Sequence, residues 1–264
     1  MVNSGLYKME MLKVENLRKS FNGVKAVNGL SFTLEKGKIT SLIGPNGAGK
    51  TTVFNILNGL CKADGGNIYL NRRSIFNKSP DYIARRGIGR TFQSIRLFPQ
   101  ITVWDNMLLA FQNHSGEHYL AALMPTKQSH QDEKQAAKEA KKQLKFVGLT
   151  GKKEELAENL SYGQKKLLGL AMTLATGADV LLLDEPTAGV YPETRKKILE
   201  LLGQLRDEGK TILFIEHDMR IVMGISDTVV VMDYGKKIAE GTPEQVRVNQ
   251  DVINAYLGRS NGAA

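Results

Sequence analysis

The 264-residue chain is 42% hydrophobic and 24% charged, which allows one large globular domain or two small ones and excludes a disordered composition. Its single cysteine, Cys61, excludes an intrachain disulfide and suits a reducing compartment, while a net charge of +9 suits anionic partners: nucleotide phosphates, nucleic acid or an acidic lipid leaflet. No apolar run approaches the roughly 20 residues that cross a bilayer, and the opening MVNSGLYKME lacks the apolar block of a signal peptide.

In chain order, MLKVENLRKSF (11–21) and LSFTLEKG (30–37) read as strands with alternating apolar residues, divided by a turn at Asn22-Gly23. KITSLIG (38–44) reads as a buried strand that runs straight into a glycine-rich loop. KTTVFNILNGL (50–60) then carries helical spacing at Val53, Ile56, Leu57 and Leu60. GGNIYL is a further strand, and SPDYIARRG a helix opened by Ser79-Pro80, a cap followed by a first-turn proline.

Residues 102–147 change character. TVWDNMLLAF is helical, NHSGEHYLAALMPTKQSH (113–130) is loop-like, and QDEKQAAKEAKKQLKFVG (131–148) is a charged helix with a narrow apolar face of Ala137, Ala140, Leu144 and Val147. HSGEH (114–118) formally matches H-x-x-E-H, yet Ser115-Gly116 make a poor helix interior, so it reads as a polar loop rather than a zinc site. After this segment the strand–helix alternation returns: DVLLLDE, ETRKKILELLGQLRDEG, KTILFIEH, MRIVMGIS and DTVVVMD, closed by a hairpin-like YGKKIAEG. Strands that are apolar throughout and alternate with helices predict a parallel sheet covered on both faces. The expectation is one domain, 1–264, whose helical lobe (about 94–170) is inserted into an α/β core.

The chemistry is concentrated at strand ends. Gly44-Pro45-Asn46-Gly47-Ala48-Gly49-Lys50-Thr51 matches G-x-x-x-x-G-K-[ST] in full, between an apolar strand and a helix, as the motif requires. Backbone N–H groups and the helix N-terminus would cradle phosphate oxygens; Lys50 would reach the β and γ phosphates, and the Thr51 hydroxyl would ligate Mg²⁺. VLLLDEP (180–186) ends in two carboxylates at the carboxyl edge of the sheet: Asp184 suits the Mg²⁺ shell, and Glu185 is placed to polarise the attacking water. His217 stands at the end of the next apolar strand, where it would touch the γ-phosphate or orient the water. Gln93 ends the short strand GIGRTF; its amide would ligate Mg²⁺ or water and then move. LSYGQ (160–164) reads as a second phosphate-type turn feeding a helix.

Together these residues resemble the ATP-binding subunit of an ABC transporter over nearly the whole chain. The Walker A loop is GPNGAGKTT (Gly44 to Thr52), the Q-loop glutamine Gln93, the signature LSYGQ, Walker B LLLDE and the H-loop residue His217. The resemblance implies a P-loop NTPase fold: a parallel sheet core, an N-terminal antiparallel β lobe and an inserted α-helical lobe. It places Phe21 where the family stacks an aromatic ring on adenine, and it assigns Ser161, Gly163 and Gln164 to ATP held by the opposite subunit. It implies ATP and Mg²⁺ as ligands and a second ATPase subunit, copy or paralogue, in a head-to-tail dimer. Permease subunits, and indirectly an extracytoplasmic solute-binding protein, complete the implied partners, with no nucleic acid among them. The implied location is the cytoplasmic face of the cell membrane, as a peripheral subunit.

RTFQSIRLFPQITVWDN, IEHDM and the ending DVINAYLG look like the branched-chain amino acid importer subgroup. The alternatives are an ATPase of the urea or lipopolysaccharide type, or a soluble ABC protein acting on nucleic acid or ribosomes. Two positions depart from the common pattern: Tyr162 replaces a second signature glycine, and Ala188-Gly189-Val190-Tyr191 lacks the Asp or Asn that often ends the D-loop.

Overall fold

The computed structural model describes residues 9–91, 97–111 and 127–257, the side chains of 127–130 excepted. Contacts divide the chain into two compact units, one of residues up to 90, 179–186 and 202 onward, the other of 91–178 and 187–201.

In the first unit, β1 (Glu10–Phe21) and β2 (Val24–Glu35) form an antiparallel hairpin. Asn22 and Gly23 both take positive φ, 47° and 84°, so the two-residue connection has the twist that matches the flanking strands. β3 (Ile39–Ile43) follows, then α1 (Lys50–Leu57), β4 (Gly65–Leu70), β5 (Arg73–Ser74), α2 (Pro80–Arg85) and β6 (Ile88–Arg90). β4 pairs with β1 and β5, which gives a four-stranded sheet ordered β2-β1-β4-β5. α2 opens as its sequence predicts: the Ser79 hydroxyl accepts from Tyr82 N at 3.3 Å, with Pro80 in the first turn.

The second unit begins with α3 (Val103–Leu109), capped by Thr102, and α4 (Lys127–Val147). Helix α4 starts within the segment read as loop-like up to residue 130, and its buried face carries Ala136, Ala140, Leu144 and Val147, so Ala136 rather than Ala137 faces inward. The step from 136 to 140 and 144 follows the i, i+4 row of a straight helix. α5 (Tyr162–Ala175) packs against both α3 and α4. The fully buried Asn106 holds the chain before α3: its amide accepts from Phe98 N at 2.9 Å and donates to the carbonyls of Phe98 and Thr102 at 3.0 Å.

β7 (Val180–Asp184) returns the chain to the first unit, and α6 (Pro192–Asp207) carries it across the boundary again. β8 (Thr211–Ile215), α7 (Met219–Ile225), β9 (Thr228–Asp233), β10 (Lys236–Gly241), α8 (Pro243–Arg247) and α9 (Gln250–Leu257) complete the described chain. The second sheet runs β10-β9-β3-β8-β7-β6; all its pairs are parallel except β9–β10, joined by the positive-φ turn Tyr234-Gly235. Every residue of β3, β7 and β8 is buried, the pattern of strands covered on both faces.

One face of this sheet (Leu42, Leu182, Leu213, Ile215, Val230) joins α1 and the four-stranded sheet in a single core. Cys61 packs partly buried against it. The other face, with Ile43, Val229 and Val231, packs against residues of α7, α8 and α9. Among the described residues no helix is long and apolar enough to cross a membrane.

Leu30 of β2 is fully enclosed in the larger core. Leu30→Ala should therefore cost about 2–5 kcal/mol, the transfer term plus a cavity. A urea titration checks it: the midpoint falls while the slope stays the same.

Candidate active site

The loop between β3 and α1 is shaped by the backbones it passes. A Cβ on Gly44 would collide with the Met232 carbonyl oxygen of β9, and one on Gly49 with the Ala26 carbonyl oxygen of β2. Their φ values, 148° and 101°, are also ones that L side chains rarely adopt. The loop is closed by Ala48 N donating to Pro45 O at 3.1 Å. The buried Lys50 ammonium donates to the carbonyls of Gly44 at 2.7 Å and Pro45 at 2.9 Å, which fixes a cation against the loop at the N-terminus of α1. Thr51 is exposed and Thr52 half-buried at that terminus, with Asn46 and Gly47 exposed on the loop. Cation, helix dipole and tight glycine backbone make this an anion-binding arrangement.

Tyr256 of α9 supports the loop from the other side: its phenol accepts a hydrogen bond from the Gly44 backbone and packs in the cluster that contains Ile43. Burial there pushes its pKa up to about 12, against the opposing effect of that hydrogen bond.

Parallel pairing levels the neighbouring strand ends with the loop. Ile215 of β8 stands opposite Leu42 of β3 on one side and Asp184 of β7 on the other. Glu185, the next residue, takes the left-handed conformation at φ 47° and donates its N–H to Ile215 O at 3.1 Å. A bulky residue in that region is a strained outlier of the kind that clusters at functional sites. The turn aims its carboxylate at His217, whose Nε2 lies 2.8 Å from Glu185 Oε1. The histidine side chain is 45% exposed and the carboxylate 18%. The sequence thus named two residues that the fold joins directly.

Asp184 itself is almost sealed and meets a residue that sequence reasoning missed. Arg90, at the end of β6, donates from Nη2 to Asp184 Oδ2 at 3.1 Å and from Nη1 to Asn55 Oδ1 of α1 at 2.7 Å. The only sequence signal for Arg90 is its place just ahead of Gln93. Glu216 was also missed: it is buried, and its Oε2 accepts from His217 N at 3.2 Å. Phe21 ends β1 and is 48% exposed, with Lys19 Nζ 5.1 Å from its ring centre, so it is not a core residue. Gln93 lies outside the described residues, as does the HSGEH segment.

The signature residues belong to the second unit. Ser161 caps α5: its hydroxyl accepts from Gln164 N at 3.2 Å, and the Gln164 amide oxygen accepts from Ser161 N at 2.9 Å. This reciprocal box fixes the helix start. Gly163 is buried against Thr194, whose Cγ2 would lie 2.8 Å from an added Cβ. Tyr162 is exposed and lies over Gly189, close enough that a Cβ there would be 3.1 Å from Tyr162 Cε1. The departing signature residue therefore sits against the D-loop at Gly189, two positions before Tyr191.

The sequence profile of the ABC transporter family matches residues 27–188, and that of the branched-chain amino acid ATP-binding cassette transporter matches residues 236–260. The chain is 43% identical over 251 residues to the high-affinity branched-chain amino acid transport ATP-binding protein BraF of Pseudomonas aeruginosa, covering 95% of this chain and 98% of that one. A crystal structure of a nucleotide-free ATP-binding cassette from an ABC transporter superposes with a TM-score of 0.82 at 36% identity, covering 94% of this chain and 99% of that one. A dimeric ATP-binding cassette bound to ADP and Pi, in a post-hydrolysis state, superposes with a TM-score of 0.73 at 25% identity, covering 88% and 99%. The chain belongs to the ABC transporter family, as one of its ATP-binding cassettes.

Proposed function

We propose that this ATPase powers the import of branched-chain amino acids, as a peripheral subunit on the cytoplasmic face of a membrane-embedded permease. The observation that carries the hydrolytic part is the Glu185–His217 pair at 2.8 Å, beside a phosphate loop whose strand ends in register with theirs. The solute follows from the 43% identity to BraF and from the matched segment 236–260. An extracytoplasmic binding protein would deliver it to the permease.

ATP would lie along the loop from Gly44 to Thr52, with Phe21 stacked on the adenine and Lys50 turned from the loop carbonyls to the β and γ phosphates. Thr51, Asp184 and Gln93 offer a hydroxyl, a carboxylate and an amide, a hard oxygen donor set that suits Mg²⁺. Among the described residues no cluster of three or more His, Cys, Asp or Glu forms a metal cage, and a cation shared with substrate phosphates needs none. When bound, Mg²⁺ would neutralise charge on the β and γ phosphates.

Glu185 would take a proton from the attacking water as the water oxygen bonds to the γ-phosphorus, while the bond from that phosphorus to the β–γ bridging oxygen breaks and ADP leaves with the electron pair. His217 would hold that carboxylate in place and lie next to the phosphate. Ser161, Gly163 and Gln164 would complete the site of a second subunit facing this one head to tail, consistent with the dimeric relative. In this reading residues 1–264 act as one ABC ATPase domain, and the helical lobe of about 94–170 passes motion to the permease.

Glu185→Gln keeps the shape and loses the base, so turnover should fall about 10²–10⁴-fold with ATP affinity kept. Phosphate release and sizing chromatography check it, the latter expected to show an ATP-dependent dimer. Near-normal hydrolysis would remove Glu185 as the base.

Phe21→Ala should weaken ATP binding by about 1–3 kcal/mol and leave the maximal rate intact, because stacking far from the phosphates is uniform binding. Initial rates over an ATP series separate the two.

The signature is tested by mixing a Lys50→Ala chain with a Ser161→Arg chain. The mixed dimer has one wholly intact composite site, and each homodimer has none. Energy transfer between labelled chains in the assembled transporter should show more ATP-driven association for the mixture than for either variant alone. No gain on mixing would place the signature contact within one chain.

A further inference from the structure

The ion pair between Arg90 and Asp184 is nearly closed to solvent, with side chains 6% and 5% exposed. The guanidinium sets a cation directly against that buried carboxylate, which offsets part of the cost of burying it. The guanidinium does more than supply charge. Its second nitrogen reaches Asn55 Oδ1 at 2.7 Å, and its Cζ lies 5.6 Å from the Phe54 ring centre, over the aromatic face. Three backbone elements therefore meet on one planar group: the end of β6, the end of β7 and the middle of α1.

Asn55 has a particular place on α1. It stands four residues after Thr51, one turn further along the same helix face. The arginine thus grips Asp184 directly and grips the turn beneath Thr51 through Asn55. We propose that Arg90 is a positioning residue for the metal site: it sets the spacing between the Thr51 hydroxyl and the Asp184 carboxylate. This rests on the reading of those two residues as Mg²⁺ donors. The role requires a fork. Lysine carries the same charge on a single ammonium, which cannot hold a carboxylate and an amide oxygen in one fixed plane.

The test uses full-length chains, a non-hydrolysable ATP analogue, and Mn²⁺ followed by electron paramagnetic resonance. Arg90→Lys should raise the Mn²⁺ concentration for half-saturation about tenfold, the effect of losing an outer partner of a metal ligand. Its affinity for the analogue in EDTA should stay that of the parent chain. Asn55→Ala should shift Mn²⁺ binding in the same direction by less, and the double variant should be no worse than Arg90→Lys alone, since both act through one contact.

Asp184→Asn separates the two possible failures. If it leaves Mn²⁺ binding unchanged, the metal reading of Asp184 is wrong. If it weakens Mn²⁺ binding while Arg90→Lys and Asn55→Ala do not, the positioning role is wrong. Equal losses in EDTA and in Mn²⁺ would likewise reduce Arg90 to a packing role. Should Arg90→Lys fail to fold, Asn55→Ala decides the matter by the same comparison.

Discussion

Everything at the candidate site depends on the register of three parallel strands. β7 and β8 pair from Val180↔Thr211 to Asp184↔Ile215, and β8 pairs with β3 up to Leu42↔Ile215. The phosphate loop, the two adjacent carboxylates and the histidine leave the sheet at one level for this reason. A slip of one residue would move Asp184 about 3.3 Å and turn it to the opposite face. All fifteen residues of these strands, five in each, are buried, so a slip would force every side chain into the packing of the opposite face, where its shape does not fit. The hydrophobic core is therefore what aligns the chemistry.

That alignment carries local costs. Glu185 is held in the left-handed region, worth on the order of 1–3 kcal/mol of strain. The Arg90–Asp184 pair is a buried ion pair, and such pairs seldom stabilise a fold over apolar residues of similar volume. The Gly44 and Gly49 backbones pass against Met232 and Ala26 with no room for a methyl group. None of these features is explained by stability. All lie around the phosphate loop and the level strand ends, and the large core beneath them, from Met11 to Met232, supplies the surplus that tolerates them.

Much of this was legible in the sequence, because the signals are local. A full phosphate-loop motif, four buried residues followed by Asp-Glu, and a histidine after TILFIE each announce a strand end without reference to any other segment. What stayed hidden depends on contact between distant segments. Arg90 and Asn55 are 35 positions apart and each is unremarkable alone; only the pairing of β6 with β7 brings the arginine to Asp184. Gly163 read as a phosphate contact, but its burial against Thr194 comes from the packing of two helix starts. The inward face of α4 was displaced at one position because alanines at 136 and 137 are equivalent in composition. Phe21 shows the reverse case: its 48% exposure, which no pattern in the sequence announces, sets it apart from the core.

The signature turn shows how a residue can serve the fold and a ligand without conflict. The Ser161 hydroxyl accepts from Gln164 N, and a hydroxyl has one proton to donate besides its two acceptor lone pairs. A phosphate oxygen facing Ser161 in the proposed dimer would take that proton and leave the cap intact. Gln164 is committed in the same way, its amide oxygen holding Ser161 N while its amide hydrogens can still donate. Gly163 lets α5 lie close to Thr194, so the first turn is held before any nucleotide arrives. Binding across the interface would then add hydrogen bonds without breaking any in the turn. Little reorganisation would oppose such binding.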